Sequence, residues 1–382
     1  MKTFVTVFPY TENIHLLKDV GAIPFTFCEH LGYESTLVTI KNGEYPYNEQ
    51  YTKGLRLEFI EGDMQKCLHD QWYEYRLIKR YLAKHAKEID VLNLYHFTIP
   101  HVLLMAYYKF LNRKGIAYLK LDADFRCFPY PEHVYATLRK NPIKKLIKHW
   151  LLNKIDVISA ESGEICRRAS ASLNCDIVYV PNGFMDSFAD SENAKNNAFL
   201  TVGRLGAYQK NAESILRAFT QIYRKCDWNL VLVGPPEGDF LSEMQKLFDL
   251  HEGLEDRVIY TGAVSDKTEL SRIYGKAKVF LLPSRWESFG IVVVEAQSAG
   301  CYLIVSDQVV PYSEFTDNGR LGTVIPAEDD AALAEAMLHA TQIEYDQQAA
   351  RDYAYEHFTW KKICEKLNCV FMEIRKESSK SE

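Results

Sequence analysis

Residues 283–300 read PSRWESFGIVVVEAQSAG, an order of strand end, polar turn and short helix that is typical of α/β folds. An apolar run, Val279–Leu282, precedes the turn, and the helix is predicted to end at Gly300. Glu287 lies in the turn, and Glu295 follows eight positions later among apolar residues. Burying a carboxylate there is costly unless a partner compensates its charge. Because a helix N-terminus presents free N–H groups and a positive dipole end, the stretch predicts a site for an anion with hydroxyl groups beside it.

Length and composition favour an ordinary folded protein with two domains. The chain has 382 residues, of which 47% are hydrophobic and 25% charged. It has no apolar run near the ~20 residues needed to cross a bilayer, and its N-terminus is typical of a first strand and not of a signal peptide. The nine cysteines include no Cys-x-x-Cys pair, which favours reduced thiols and a cytoplasmic location.

Basic residues are concentrated in the first half of the chain. Residues 101–150 contain 10 lysines and arginines against 3 acidic residues. Residues 138–154 alternate cations with apolar side chains at helical spacing, with Trp150 near the boundary of the two faces. Such a helix can lie on the inner face of an anionic membrane, and it can equally be an ordinary helix with a solvated basic face. Both interpretations stay open; a lipid-linked acceptor would favour the first. No nucleic-acid partner is expected.

Both halves alternate short β-like runs with helix-like segments, which predicts two doubly wound α/β domains in tandem. Strands in the first half are predicted at 4–8, 35–40, 91–95, 118–121, 157–159 and 177–180. Strands in the second half are predicted at 198–202, 229–233, 258–261, 279–282 and 302–305. The predicted domains cover 1–184 and 185–359, with the polar stretch 186–197 as linker and a last helix, 360–376, that packs back on the first domain.

A pair of cations follows the first strand of the second half. Arg204 comes directly after Val202-Gly203, and Lys210 lies six residues further along the same loop. Arginine as a planar fork and lysine as a point charge are suited to clamping a diphosphate. The alternative is an ordinary solvated loop, since both residue types are common on surfaces.

Together these pieces resemble the retaining GT-B glycosyltransferases, in particular the large family 4, whose signature is Glu-x7-Glu. Here the signature is Glu287 to Glu295, and the resemblance covers roughly residues 180–375 well and the first half only loosely. The flanking pieces that match in order are Val202-Gly203-Arg204-Leu205, Lys210-Asn211, Leu232-Val233-Gly234, Tyr260-Thr261-Gly262, Pro283-Ser284, Asn318-Gly319 with Gly322, and Trp360 with the helix after it.

The resemblance implies a GT-B fold, in which two Rossmann-like domains face a central cleft, and it implies roles by position. Arg204 and Lys210 would hold the diphosphate of the donor and stabilise it as it leaves. Glu287 would bind hydroxyls of the donor sugar, and Glu295 the ribose hydroxyls. Glu287, Arg204 and Lys210 are the implied catalytic residues. The implied donor-binding set is Gly203, Arg204, Lys210, Gly234, Thr261, Glu287, Ser288, Phe289, Gly290, Ile291 and Glu295.

The first half departs from the family in two places. Many members have a Gly-Gly loop after the first strand, whereas here residues 8–18 contain no glycine and the nearest is Gly21. Members often have a histidine at the end of a middle strand, whereas residues 118–124 read YLKLDAD. This fold normally uses basic side chains in place of a metal ion, so the Asp-x-Asp in that stretch is interpreted as an acidic patch near the acceptor and no metal is expected. The candidates for the acceptor side are His96, Lys120, Asp122 and Asp124.

The function expected from this resemblance is metal-independent, retaining transfer of a hexose-type sugar from a nucleotide diphosphate sugar, with UDP-sugars favoured. The acceptor would be a glycan or a lipid-linked molecule in surface polysaccharide or glycolipid synthesis. Two alternatives remain: a catalytically silent GT-B subunit of a partner transferase, and a GT-B sugar-nucleotide epimerase. Calorimetry with UDP distinguishes the first alternative, and incubation with the sugar nucleotide alone distinguishes the second.

Overall fold

The computed structural model describes residues 1–128, 151–185 and 194–380, except for the side chains of 378–380. The chain forms two compact units: unit 1 comprises Met1–Gly183 and Trp360–Glu382, and unit 2 comprises Phe184–Thr359. Most of the basic stretch 138–154 and of the predicted linker 186–197 lies outside the described residues. The membrane interpretation of that stretch therefore stays a prediction.

Unit 1 is built on a parallel sheet of seven strands in the order β3-β2-β1-β4-β5-β6-β7. These strands are β1 Lys2–Val7, β2 Tyr33–Thr39, β3 Arg56–Phe59, β4 Val91–Tyr95, β5 Ile116–Lys120, β6 Val157–Ala160 and β7 Val178–Tyr179. Val5 of β1 pairs with Thr36 on one side and with Leu92 on the other, so the chain winds outward in both directions from the β1–β4 pair. This strand order creates a switch point, where ligands of doubly wound sheets bind beyond the carboxyl ends of the strands.

The first helix of unit 1 lacks the usual sequence signs of a helix. The helices are α1 Asp19–Leu31, α2 Pro46–Gln50, α3 Met64–His69, α4 Gln71–His85, α5 Ile99–Leu111, α6 Gly163–Leu173 and the C-terminal helix Trp360–Lys380. Pro24 lies inside α1, and nine successive residues of this helix, Asp19 to Phe27, are buried. A helix buried on nearly all sides has no apolar–polar period, and an internal proline argues against a helix in the sequence.

The C-terminal helix completes the core of unit 1. Its Phe371 is fully buried, with ring centroids 6.4 Å from Phe4, 5.7 Å from Phe27 and 5.6 Å from Tyr118. The Tyr33 hydroxyl donates a 2.8 Å hydrogen bond to Asn368 in the same helix. A segment separated from the rest of unit 1 by the whole of unit 2 therefore packs on α1 and on the central strands.

Unit 2 repeats the plan with six parallel strands in the order β10-β9-β8-β11-β12-β13. The strands are β8 Asn196–Val202, β9 Asn229–Val233, β10 Val258–Gly262, β11 Ala277–Leu282, β12 Tyr302–Ser306 and β13 Gly322–Ile325. The helices are α7 Ala212–Ile222, α8 Phe240–Leu250, α9 Lys267–Lys276, α10 Ile291–Ser298, α11 Tyr312–Thr316, α12 Asp330–Ala340 and α13 Gln347–His357. The predicted alternation is confirmed in both units, and β3 and β13, which were not predicted, are edge strands. The switch point of unit 2 lies between β8 and β11.

Candidate functional site

The two loops at the switch point of unit 2 are tied to each other by hydrogen bonds. One follows β8 and contains Gln209 and Asn211; the other follows β11 and begins at Pro283. The Arg285 N–H donates to the Gln209 carbonyl at 2.8 Å, and the Gln209 amide donates to the Trp286 carbonyl at 3.0 Å. The Asn211 amide donates to the Pro283 carbonyl at 3.2 Å. The cation-bearing loop and the Glu287 turn, which are about 75 residues apart in sequence, thus form one surface at the carboxyl edge of the sheet.

Gly234, at the end of β9, allows a third loop to approach this surface. Its φ is +142°, and a Cβ at this position would lie 1.7 Å from the Gly203 carbonyl oxygen. The Gly203 N–H donates to the Val233 carbonyl at 2.9 Å. The positive φ and the close approach of the Gly203 carbonyl both require glycine at position 234. The two predicted donor-site glycines, Gly203 and Gly234, are therefore in direct contact.

Lys210 and Glu287 form the centre of the site. The Lys210 ammonium contacts Glu287 Oε1, and the Ser284 hydroxyl donates to the same oxygen at 3.3 Å. The Glu287 side chain is 8% exposed and that of Lys210 20% exposed. The Glu287 backbone is fixed on both sides, since its N–H donates to Gln308 at 3.1 Å and its carbonyl accepts from Val310 at 3.2 Å. A half-buried ammonium and a rigidly held carboxylate therefore lie side by side, able to bind a phosphate and a sugar hydroxyl respectively.

The N-terminus of α10 follows directly. Gly290 precedes this helix with a φ of +92°, and no side chain caps the helix within the described part of the chain. The Val293 N–H donates to the Gly290 carbonyl at 2.9 Å, whereas the Ile291 N–H at the start of the helix is oriented for an anion. The Phe289 side chain is 1% exposed and packs on Phe315 and Phe358, at ring distances of 4.9 and 6.1 Å. Only the backbone of Phe289 is available for the predicted donor contact.

Glu295 lies one turn into α10 and borders a pocket of unit 2. It accepts a 2.9 Å hydrogen bond from the Tyr274 hydroxyl and lies 4.0 Å from the Lys267 ammonium. Burial, followed by the charge of Glu295, raises the pKa of Tyr274, so its hydroxyl stays a donor. The pocket is lined by Phe184, Met185, Lys267, Leu270, Ser271, Tyr274, Glu295, Ser298 and Ala299. Lys267 and Tyr274 were missed by sequence reasoning, because only the packing of α9 against α10 brings them to Glu295.

Arg204 and Thr261 are placed more peripherally. The Arg204 guanidinium lies 3.2 Å from Glu237, and its side chain is 54% exposed. Thr261 is exposed on the edge strand β10, where its hydroxyl donates to the Gly262 carbonyl at 3.0 Å. Arg204 follows the end of β8 and Thr261 lies near the end of β10 in the same sheet, but the contacts that hold Lys210 to Glu287 do not include them.

The four acceptor-side candidates in unit 1 are placed in different environments. The expectation that Lys120 lines the acceptor side is wrong, because its side chain is 0% exposed and pairs with Glu161 at 2.8 Å. Asp124 is bound by its neighbour Arg126, whose Nε donates at 2.8 Å. His96 is half-buried, and its backbone has a φ of +63°. Asp122 is exposed, with a φ of +44°.

The part of the chain that the structure describes contains neither a metal-binding cluster nor a membrane-spanning helix. Residues 1–128, 151–185 and 194–380 contain no group of three or more His, Cys, Asp and Glu side chains arranged to hold a metal ion. Within the same ranges, no helix combines the length and the apolar character needed to cross a bilayer.

The unit that carries the candidate site is similar in sequence to known proteins. Residues 185–357 match the family model described as Glycosyl transferases group 1. The N-acetyl-alpha-D-glucosaminyl L-malate synthase of Bacillus anthracis is 28% identical over 44% of this chain and 43% of its own length. The phosphatidyl-myo-inositol mannosyltransferase of Mycobacterium leprae is 27% identical over 55% of this chain and 57% of its own. The chain thus spans about half the length of the curated relatives that it matches.

The likeness to solved structures extends over both units. The structure of the Anabaena protein HepE in complex with UDP aligns with a TM-score of 0.69 at 16% identity, over 98% of this chain and 100% of the other. At this identity the alignment describes the fold. The chain therefore has the GT-B fold, and the unit that carries the candidate site is the part that matches the Glycosyl transferases group 1 model.

Proposed function

We propose that this protein is a retaining, family 4-type glycosyltransferase that moves a hexose-type sugar from a UDP-sugar to an acceptor hydroxyl. The observation that carries the proposal is the contact between Lys210 and Glu287 beside the N-terminus of α10, at the switch point of unit 2. A cation, a carboxylate and helix N–H groups at one strand edge match the parts of a nucleotide diphosphate sugar. The match of residues 185–357 to the group 1 transferases supports the same assignment.

The chemistry follows from where charge develops. As the bond between the sugar C1 and the phosphate oxygen breaks, negative charge collects on the leaving diphosphate. Lys210, the N–H groups at Ile291 and, after a rotation away from Glu237, Arg204 would stabilise that charge most in the transition state. The acceptor oxygen bonds to C1 on the same face, and the departing phosphate oxygen takes its proton. This route retains the configuration without a protein nucleophile, and the cations of the site take the place of a metal ion.

Glu287 and Glu295 would orient the donor. Carboxylates accept hydrogen bonds from hydroxyl groups, and Glu287, held on both sides of its backbone, is suited to the hydroxyls of the transferred sugar. Glu295, with Tyr274 and Lys267 in one pocket, is suited to the ribose. UDP is the first nucleotide to test, because a protein with the same fold was solved with it.

We propose a glycan or lipid-linked acceptor and a cytoplasmic protein that touches the membrane peripherally. The named mannosyltransferase of M. leprae acts on phosphatidyl-myo-inositol, as its name states. Exposed apolar side chains on two helices of unit 1 that pack together suit an anionic bilayer: Trp72 on α4 is 50% exposed, and Ile99 and Phe110 on α5 are 71% and 76% exposed. The Lys79 ammonium links the two helices, 5.6 Å from the Tyr75 ring and 5.2 Å from that of Tyr107. Exposed cations on or just beyond these helices are Arg76, Arg80, Lys84, Arg113 and Lys114.

Aromatic side chains among cations bind anionic lipid surfaces through burial and charge together. Co-sedimentation should therefore detect more protein on phosphatidylglycerol vesicles than on phosphatidylcholine vesicles. Replacing Trp72 and Phe110 by alanine should reduce this binding several-fold. Equal binding of the wild type to both vesicle types would contradict the membrane proposal and leave the transferase proposal intact.

The function is tested by calorimetry with UDP and by a screen of UDP-sugars and GDP-sugars for turnover, with and without EDTA. Lys210→Met and Glu287→Gln should each lower kcat by roughly 100-fold or more, as removal of one transition-state contact does. Arg204→Ala should abolish transfer as well. Arg217→Met is the matched control, since Arg217 pairs with Asp330 in the same unit.

Three outcomes would contradict the proposal. A wild-type protein that binds no nucleotide would favour a silent subunit. Conversion of the sugar nucleotide to an epimer without an acceptor would indicate an epimerase. Loss of turnover with EDTA that Mg²⁺ restores would overturn the metal-independent mechanism.

A further inference from the structure

A second polar cluster lies at the carboxyl edge of the unit 1 sheet. Lys120 ends β5, Glu161 follows β6, and both side chains are 0% exposed. Burial alone would lower the pKa of Lys120, but the charges of Glu161 and Asp19 outweigh it and raise that pKa. A fully buried ion pair is expensive to form, so its placement beside a switch point calls for an explanation beyond stability.

Glu161 uses both carboxylate oxygens to hold the turn after β5. Its Oε1 accepts from the Lys120 ammonium at 2.8 Å and from the Asp122 N–H at 3.0 Å. Its Oε2 lies 3.3 Å from the Ala123 N–H, which donates to it. Lys120 in turn donates to the Val180 carbonyl at 3.2 Å, which fixes the pair to the last strand of the sheet.

The residue held in this way is Asp122. Its φ of +44° lies in the left-handed region, which costs an L-residue with a side chain roughly 1–2 kcal/mol. The two hydrogen bonds to Glu161 fall on the N–H groups of Asp122 and of the residue after it, so they favour this strained turn. Strained backbone that is held by buried partners is concentrated at functional sites.

Two further polar atoms near this turn point to a ligand. Asp19, the first residue of α1, is only 8% exposed, and its Oδ2 has no hydrogen-bond partner in the described part of the chain. The Tyr95 hydroxyl at the end of β4 is buried and likewise unpartnered among the described residues. Burial raises the pKa of Asp19, and the negative charges of Asp122 and Glu161 add to this effect. The positive charge of Lys120 opposes them, and the pKa of Asp19 is raised to about 7. Tyr95 ends β4, Lys120 ends β5 and Glu161 follows β6, while Asp19 begins the helix that comes after β1. All four strands surround the switch point of unit 1.

The geometry separates the acceptor-side candidates that sequence alone left together. Lys120 is inside the unit, and Asp124 is held by Arg126, whereas Asp122 is exposed on the held turn. We propose that Asp122 binds a sugar hydroxyl at the carboxyl edge of the unit 1 sheet, with Asp19 beside it, and that the Lys120–Glu161 pair is the device that positions Asp122.

This proposal rests on the proposed glycosyltransferase function and specifies its sugar-binding residues. A carboxylate is the natural acceptor for a sugar hydroxyl, and one held by its backbone loses little freedom on binding. The hydroxyl belongs either to the sugar being transferred or to the acceptor, and the kinetic constants distinguish the two.

The first variant is Asp122→Asn, tested with the sugar nucleotide and acceptor that give turnover in the screen. A lost hydrogen bond to a charged group corresponds to a fall in kcat/KM of roughly 10- to 100-fold. If the hydroxyl belongs to the donor sugar, binding of the sugar nucleotide weakens while binding of UDP alone does not change. If it belongs to the acceptor, the acceptor KM rises and the donor constants do not.

The second variant is the double replacement Lys120→Met with Glu161→Gln, which removes both buried charges and keeps the side-chain volumes. The double variant should lower kcat/KM, as Asp122→Asn does, and should leave UDP affinity unchanged. Adding Asp122→Asn to the double variant should lower kcat/KM little further. Non-additivity of this kind is not expected from a general loss of stability.

Asp156→Asn is the matched control. Asp156 precedes β6 at the opposite edge of the sheet, pairs with Lys109 at 2.9 Å and accepts from the Ala117 N–H at 2.8 Å. If the enzyme is active and binds UDP, but Asp122→Asn has the same kinetic constants as this control, the inference about Asp122 is wrong and the proposed function stands. A wild-type protein without UDP binding or transfer would instead remove the proposed function beneath it.

Discussion

The buried ion pair of unit 1 gives the sharpest test of the structure itself. Lys120 and Glu161 are both 0% exposed, and their charged atoms are 2.8 Å apart. Lys120→Met keeps the length of the side chain but leaves a buried carboxylate whose partners among the described residues are the N–H groups of Asp122 and Ala123. Glu161→Gln leaves a buried ammonium with neutral acceptors, namely the amide oxygen of the new side chain and the Val180 carbonyl, and no negative charge opposite it. Each single replacement should therefore cost about 3–5 kcal/mol of unfolding free energy.

The double variant should cost much less than the sum of the two single variants, because it leaves no uncompensated charge. In a unit of this size, 1 kcal/mol shifts Tm by roughly 2–4 °C, so each single variant should melt roughly 6–20 °C lower. Urea unfolding and thermal melting followed by circular dichroism on the full chain measure both quantities. Lys109→Met, in a pair whose side chains are 19% and 20% exposed, should cost only about 1 kcal/mol. Additive single variants, or losses no larger than that of Lys109→Met, would refute the buried pair.

Three other predictions concern the site edges. Gly234→Ala should destabilise unit 2 and weaken UDP binding at least 10-fold in calorimetry, because its Cβ would lie 1.7 Å from a backbone oxygen. Gly238→Ala is the control: its φ is +58°, and a Cβ there would have no atom of the described residues within 4 Å. It should cost only about 1 kcal/mol of unfolding free energy and leave UDP binding unchanged. Glu295→Gln should weaken UDP binding roughly 10-fold in the same assay with little change in Tm, since the Tyr274 hydroxyl can still donate to the amide oxygen. The raised pKa of Asp19, about 7 against an ordinary 3.8, means that the folded chain keeps a proton that the unfolded chain releases, so stability should fall as pH rises from about 4 to about 7. Asp19→Asn should remove that fall and gain on the wild type at pH 8 but not at pH 4 in urea titrations; parallel pH profiles would contradict it.

Much of the fold was predictable because the central strands of both sheets are buried apolar runs. The two strands that were missed, Arg56–Phe59 and Gly322–Ile325, lie at sheet edges, where polar residues replace the apolar pattern. The helix from Asp19 was missed because burial on nearly all sides removes its period and Pro24 imitates a helix end.

The candidate site of unit 2 could be predicted where its residues adjoin the ends of strands. Glu287 and Glu295 share one strand–turn–helix segment, Lys210 follows another strand end, and the resemblance to the family's ordered motifs connects them. The sequence did not indicate Glu161 or Lys267 as site residues, because each is identified by an ion pair with a residue on another element, Lys120 and Glu295 respectively. Lys120 was misplaced for the same reason: a lysine at a strand tip is expected in solvent until a buried carboxylate faces it.

The return of the last helix to unit 1 has a consequence for synthesis of the chain on the ribosome. Phe371 covers Phe4, Phe27 and Tyr118, which have all been translated more than 240 residues earlier. Until that helix emerges, the first unit exposes apolar side chains to solvent, whereas the second can fold as one uninterrupted segment. The nascent polypeptide should therefore need protection by chaperones over its N-terminal part, and a stop codon just before Trp360 should leave unit 2 native while unit 1 aggregates.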